Sequence, residues 1–173
     1  RKRLLCLKGL GQLDPQRHWP RLAAMLDDED TAVRVAAVEA LTRIPDPAIW
    51  ENLARVLEDP SPAPRLALVK GLAGQDSPQA RGLLRLVVED PELQVRLEAV
   101  SCLGRFRDRE AAPSLVALLA SGPTRQRIAA ARALGALRAE EANDALLELL
   151  ADSDHQVRAA AVKALQQIAG GWE

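Results

Sequence analysis

The sequence predicts an all-α fold: a right-handed α-solenoid in which helix pairs stack into a superhelix. Three observations predict it. The first is a period. Arginine stands at Arg3, Arg34, Arg65, Arg96, Arg127 and Arg158, each 31 residues after the last, and Leu10, Leu41, Leu72, Leu103, Leu134 and Leu165 follow seven residues behind. The second is composition. Of 173 residues 31 are Ala and 29 Leu, aromatics make up 2% and Tyr is absent, a mixture rich in helix formers and poor in the residues strands need. The third is punctuation. Asp14-Pro15, Asp46-Pro47, Asp59-Pro60, Ser77-Pro78 and Asp90-Pro91 cut the chain into lengths of about one helix.

Each 31-residue unit reads as two helices. The second helix opens at the repeating Arg and carries apolar residues three, four, seven and ten positions later, a stripe of helical period. Six positions after the Arg stands Gly9, Ala40, Gly71, Cys102, Ala133 or Ala164, small enough for close approach of a neighbouring helix. Asp30, Ser61 and Asp154 sit where N-caps belong, with Pro62 suited to a first turn. The first helix carries Leu22, Leu53, Leu84, Leu115 and Leu146, then Leu26, Leu57, Val88, Leu119 and Leu150 one turn on. No pair can bury its stripe alone, so the pairs must stack. The expected organisation is one array over 1–173, in units 3–33, 34–64, 65–95, 96–126 and 127–157 with a partial unit 158–173: five helical pairs with incomplete ends. The array begins and ends on second helices, which would leave Leu4, Leu5 and Leu7 partly uncovered and suggests a segment of a longer chain.

The run Asp28-x5-Arg34-x-Ala-Ala-x-x-Ala-Leu41 resembles a HEAT repeat, specifically the short bacterial type similar to phycobilin-lyase HEAT-like repeats. The same Asp-to-Arg spacing recurs at Asp59/Arg65, Asp90/Arg96 and Asp152/Arg158, and the resemblance covers essentially the whole chain. It implies that these Asp and Arg residues form a hydrogen-bonded ladder linking adjacent repeats, which fits the need of a buried Arg for a carboxylate. Ser121 replaces Asp ahead of Arg127, so one rung should be missing or altered. The tetratricopeptide and ankyrin signatures are absent.

Chemistry is sparsely provided for. His18 and His155 lie four repeats apart and cannot share a metal, so no metal and no cofactor is expected. Cys6 and Cys102 fall in small or apolar repeat slots about three repeats apart, too far for a bridge, and read as buried inert thiols. Trp19 and Trp50 occupy equivalent places on successive first helices and read as seam-filling residues; Trp172 follows Gly170-Gly171 near the chain end. Iron-binding deoxyhypusine hydroxylases of the HEAT class use His-Glu dipeptides, and here the pairs are His18-Trp19 and His155-Gln156. HEAT-like DNA glycosylases use an aromatic-lined cleft, for which this chain has too few aromatics, and no residue can be assigned a lyase role. No catalytic residue is expected.

A net charge of −1 excludes a globally basic nucleic-acid binder, and no apolar stretch is long enough to span a membrane. A reducing, cytoplasmic setting is the expectation. Positions two, five and nine after each Arg point away from the core, on what would be the concave ridge. They hold Lys8, Arg43, Lys70, Arg105, Arg132 and Lys163 against Glu39 and Glu98, and no aromatic. The leading reading is a non-catalytic scaffold or adaptor that binds a protein partner there, an acidic segment or helix among the possibilities. The alternatives are binding of a nucleic-acid backbone and an enzyme-assisting or lyase-type subunit. Unit 65–95 departs most from the pattern, with Gln75 in an apolar slot, Gly82 in a helix, and Pro60, Pro62 and Pro64 crowding its start. Amide exchange is therefore expected to be fastest in this unit or at Ser121-Gly122-Pro123; uniform protection across the central repeats would overturn that.

Overall fold

The computed structural model of the chain describes residues 15–170, with side chains from 18 onward. Lys8, Cys6, Trp172, Leu4, Leu5, Leu7 and the second helix expected to open at Arg3 lie outside the described residues. The chain divides into two compact units, Arg1–Ala80 and Arg81–Glu173, and the division falls within the repeat that carries Gln75 and Gly82.

In the first unit α1 (Pro15–Ala24), α2 (Thr31–Leu41), α3 (Ile49–Arg55) and α4 (Pro62–Leu72) alternate as first and second helices, and α5 (Pro78–Val87) begins. The second unit holds the rest of α5, then α6 (Leu93–Arg105), α7 (Ala112–Ser121), α8 (Thr124–Leu137), α9 (Asn143–Glu148) and α10 (His155–Ala169). There is no strand among the described residues. The second helices open three residues before each repeating Arg, not at it. The N-caps set this boundary: Asp30, Ser61 and Asp154 accept from the N–H two residues on, in Ala32, Ala63 and Gln156.

The period-31 stripe makes the cores. Leu22, Leu41, Ile49, Leu53, Leu68 and Leu72 are fully buried in the first unit, and Leu84, Leu103, Leu115, Leu119 and Leu134 in the second. Burying a Leu side chain is worth about 2 kcal/mol, so the stripe supplies most of the driving force. Leu150 and Val162 depart from their slots at 39% and 44% exposed, where the equivalent Leu119 and Val100 are buried. Gln75 stands where Ile44, Phe106 and Leu137 stand in other units, and its amide donates to the carbonyl of buried Thr42.

Arg107 and Arg138, also 31 apart, adopt left-handed backbone with φ 51° and 52°. They follow α6 and α8 as the residue of a Schellman turn usually given to Gly: Asp108 N–H donates to Leu103 and Ala139 N–H to Leu134.

The Arg–Asp pairs run in a longer register than their sequence spacing suggests. Within a repeat, Arg34 Nη1 donates to the backbone carbonyl of Asp28 at 2.9 Å, and Arg65, Arg96 and Arg158 do the same to Asp59, Asp90 and Asp152. Carboxylates pair one repeat on. Arg34 Nε and Nη2 reach both oxygens of Asp59 at 2.7 and 3.0 Å, and Arg127 reaches both of Asp152 at 2.9 and 3.0 Å. Each Asp also takes the N–H two residues on, Ser61 for Asp59 and Asp154 for Asp152. The substitution at Ser121 therefore alters the rung of Arg96, not that of Arg127. Arg96 Nε donates instead to buried Gln126 Oε1 at 3.1 Å, while Arg127 Nη1 takes the Gly122 carbonyl.

Burial opposes ionisation of Asp59, but the bonds from Arg34 and the Ser61 N–H outweigh it and hold the carboxyl below the usual range. Asp152 is held down by the Asp154 N–H and then by Arg127. Groups with lowered folded values stabilise the fold above the ordinary carboxylate value of about 4 and lose that contribution as pH falls through the folded value. Acid unfolding followed by circular dichroism should therefore steepen below about pH 4 and flatten in an Asp59→Asn/Asp152→Asn variant. At neutral pH Asp59→Asn should lose about 2 kcal/mol in urea melts, because Arg34 is only 12% exposed. Asp27→Asn, whose exposed partner is Arg55, should lose less than about 0.5 kcal/mol.

Candidate functional site

In the second unit the outward faces of α6, α8 and α10 form a continuous groove. Two adjoining hollows build it, of about 530 and 590 Å³, and they share Arg132 and Gln156. Its shape comes from small residues between the helices. A Cβ at Gly104 would lie 3.0 Å from the Ala133 Cα, and one at Gly135 would lie 2.8 Å from the Ala164 Cα. Backbones this close leave a shallow apolar floor of Leu97, Ile128, Ala129, Ala133 and Ala136.

The walls are cationic. Arg105 and Arg125 line the first hollow, Lys163 and His155 the second, and Arg132 stands between; no carboxylate lines either. Among the described residues, Arg125, Arg132 and Lys163 are exposed and engaged in no ion pair. Arg105 is more tied down: its Nη2 lies 3.3 Å from Cys102 Sγ and its guanidinium rests 5.9 Å from the Phe106 ring.

Of the ridge residues read from the sequence, Arg105, Arg132 and Lys163 are thus brought to one groove. Arg43 and Lys70 are exposed in the first unit, Arg43 beside a separate hollow of about 460 Å³ lined by Ile44, Gly71 and Gln75. Glu39 is exposed on α2 and Glu98 half-buried on α6, outside the groove lining. Sequence reasoning missed Arg125, His155 and Gln156, which sit two or three residues ahead of the repeating Arg. A second helix opening at the Arg would leave them ahead of it, but the helices start three residues earlier and carry them onto the same face. The signal available was the N-cap at Asp154, which already placed His155 inside a helix.

The remaining candidates stay structural. Cys102 is fully buried, and burial pushes its thiol up against the opposing bond from Arg105, so it stays protonated at neutral pH. Trp19, Trp50 and His18 are half-buried. No group of three or more His, Cys, Asp or Glu among the described residues could hold a metal ion, and no described helix is long and apolar enough to cross a membrane.

A family model of HEAT repeats matches residues 1–55, 49–129 and 123–171. The chain is similar to a solved structure of the CpcE–CpcF complex of phycocyanin lyase from Nostoc sp. PCC7120, at 26% identity and a TM-score of 0.70, covering 92% of this chain and 66% of that one. It thus spans just under two thirds of that relative's length. Two further similarities bear on the fold. Human deoxyhypusine hydroxylase matches at 21% identity and TM-score 0.54 (97% of this chain, 79% of that one). A designed armadillo repeat protein in complex with the peptide (KR)4 matches at 20% and 0.62 (95% and 91%). Sequence comparison with curated proteins finds no match.

The groove's construction can be tested through its glycines. Gly135→Ala should lower stability by about 1–3 kcal/mol in urea denaturation, since its Cβ meets the α10 backbone. Gly82→Ala, whose Cβ meets nothing within 4 Å, should raise it by about 0.5–1 kcal/mol.

Proposed function

We propose a function from one premise: the chain belongs to the HEAT-repeat family. It is a non-catalytic scaffold that binds a segment of a protein partner on the face of its second helices, the face that the resemblance to HEAT repeats implies is concave. The observation that carries this is the groove across α6, α8 and α10, with an apolar floor and cationic walls. Such a combination suits a peptide, whose alternate side chains address floor and wall in turn. The fold supports the same reading, since helical-repeat surfaces recognise extended partners and the designed armadillo relative holds a peptide. Among the groove's lining residues no carboxylate stands beside His155 to complete an acid–base pair, which favours binding over chemistry.

A second reading has one observation behind it. The 26% identity with a phycocyanin-lyase chain that occurs in a two-protein complex favours a role as an assisting subunit of a heteromeric enzyme. It differs from the first reading in what the partner does, not in where it binds.

Selection from a phage-displayed library of random peptides tests the site. Enriched peptides should slow amide exchange along 93–105, 124–137 and 155–169, and lose binding when the floor is filled by Ala136→Trp. No enrichment, or protection confined to the first helices, would overturn the proposal.

A further inference from the structure

We infer that the groove of α6, α8 and α10 recognises an acidic segment in which carboxylates alternate with aliphatic side chains. This rests on the scaffold reading above and adds the chemistry of the partner. Three observations lead to it.

Charge is the first. Arg105, Arg125, Arg132 and Lys163 line the groove with no carboxylate among the lining residues, in a chain whose total charge is −1. Arg125, Arg132 and Lys163 repel one another there, and a ligand carrying carboxylates relieves that repulsion while gaining charge-assisted hydrogen bonds. Arg125 and Arg132 are guanidinium forks suited to bidentate carboxylate capture. They are also available, since neither is engaged in an ion pair among the described residues.

The floor is the second, and it separates a peptide from a nucleic acid. Ile128 is buried between the helices, and Leu97, Ala129, Ala133 and Ala136 extend the apolar strip between the cations. A phosphodiester backbone gains nothing from such a strip, and no aromatic lines the groove for a base to stack on. Aliphatic side chains of a peptide fit it.

Spacing is the third. Lys163 and Arg132 occupy the same place in successive repeats, five residues after Arg158 and Arg127, so they stand about one helix spacing, roughly 10 Å, apart. That is about three residues of extended chain. Crossing all three helices takes about 20 Å, or some six residues. The expected ligand is therefore short, with acidic groups recurring every two or three positions. It is the opposite in charge of the (KR)4 peptide on the designed armadillo relative.

Fluorescence anisotropy on the full chain tests this, with a labelled eight-residue peptide alternating Glu and Leu. The comparison ligands are its Gln–Leu and Glu–Ser versions, a Lys–Leu peptide and a duplex DNA. The Glu–Leu peptide should bind, and weaken about tenfold on replacing Glu by Gln, on replacing Leu by Ser, or between about 50 and 200 mM salt. Arg132→Glu/Lys163→Glu should abolish that binding and transfer it to the Lys–Leu peptide. Both positions are exposed, and circular dichroism should show the fold unchanged. Equal binding of the Gln–Leu peptide would overturn the acidic specificity. Duplex DNA binding as tightly as the peptide would make the groove a phosphate tracker instead. If phage-selected peptides occupy the groove but carry no acidic pattern, this inference fails and the scaffold reading stands.

Discussion

The arginine that recurs every 31 residues is the constraint on which the rest hangs. A guanidinium has five donors and nowhere to lose its charge, so placing it between helix pairs demands acceptors on several sides. In this chain one amino group takes a carbonyl of the turn before its own helix, and the other two nitrogens take the carboxylate of the next repeat. The Asp at the other end is held equally tightly, because the same carboxylate ties down the N–H two residues on. One rung thus fixes three things together: the turn that starts a second helix, the register of that helix against its own turn, and the register of the next repeat. Apolar burial drives the pairs together, but it is non-directional. The ladder tells them where to stop.

Register in turn decides which residues meet between helices. With the ladder set, Gly104 falls opposite Ala133 and Gly135 opposite Ala164, and in the first unit Gly71 opposite Thr42. Each of these contacts would be overfilled by a single methyl group. Close helices have shallow seams, and a shallow seam faced by long cationic side chains is a groove open to a ligand from end to end rather than a closed pocket. The route from the buried Arg to the exposed Arg is thus continuous. Its buried members hold the spacing at which its exposed members are displayed.

Much of this was legible in the residues. Period, helix pairing, small slots and N-caps follow from patterns at fixed offsets, Arg105, Arg132 and Lys163 from the helical wheel, and the rung role of the recurring Asp and Arg from the resemblance to HEAT repeats. What was not legible belongs to longer range. The sequence spacing of Asp28 and Arg34 suggested one pair, whereas the carboxylate of Arg34 is Asp59: Arg34 meets Asp28 through its backbone carbonyl, and the Asp28 carboxylate takes the Asp30 N–H. Nothing in Arg107 or Arg138 announces left-handed backbone, since that conformation is imposed by the turn between repeats and is tolerated, not favoured, by Arg. Gln75 read as a flaw in the apolar stripe, yet its amide meets a buried carbonyl that only the folded register brings within reach.

The altered rung links ladder and groove most directly. Ser121 stands where the repeat pattern has Asp, so the chain carries no carboxylate at that rung, and Gln126 is the neutral acceptor for Arg96. Gln126 turns inward, and Arg125 beside it turns out into the groove, at a place where the equivalent residues are Ala32, Ala63, Gln94 and Gln156. Two departures from the repeat therefore fall within five residues, and both shift the local charge the same way. A regular rung would have placed a carboxylate next to the groove's central helix and neutralised part of its wall. The positive character of this face starts from one ridge cation in each repeat, Arg105, Arg132 and Lys163 in the second unit. Arg125 adds to it at α8, where the ladder has an amide in place of an anion.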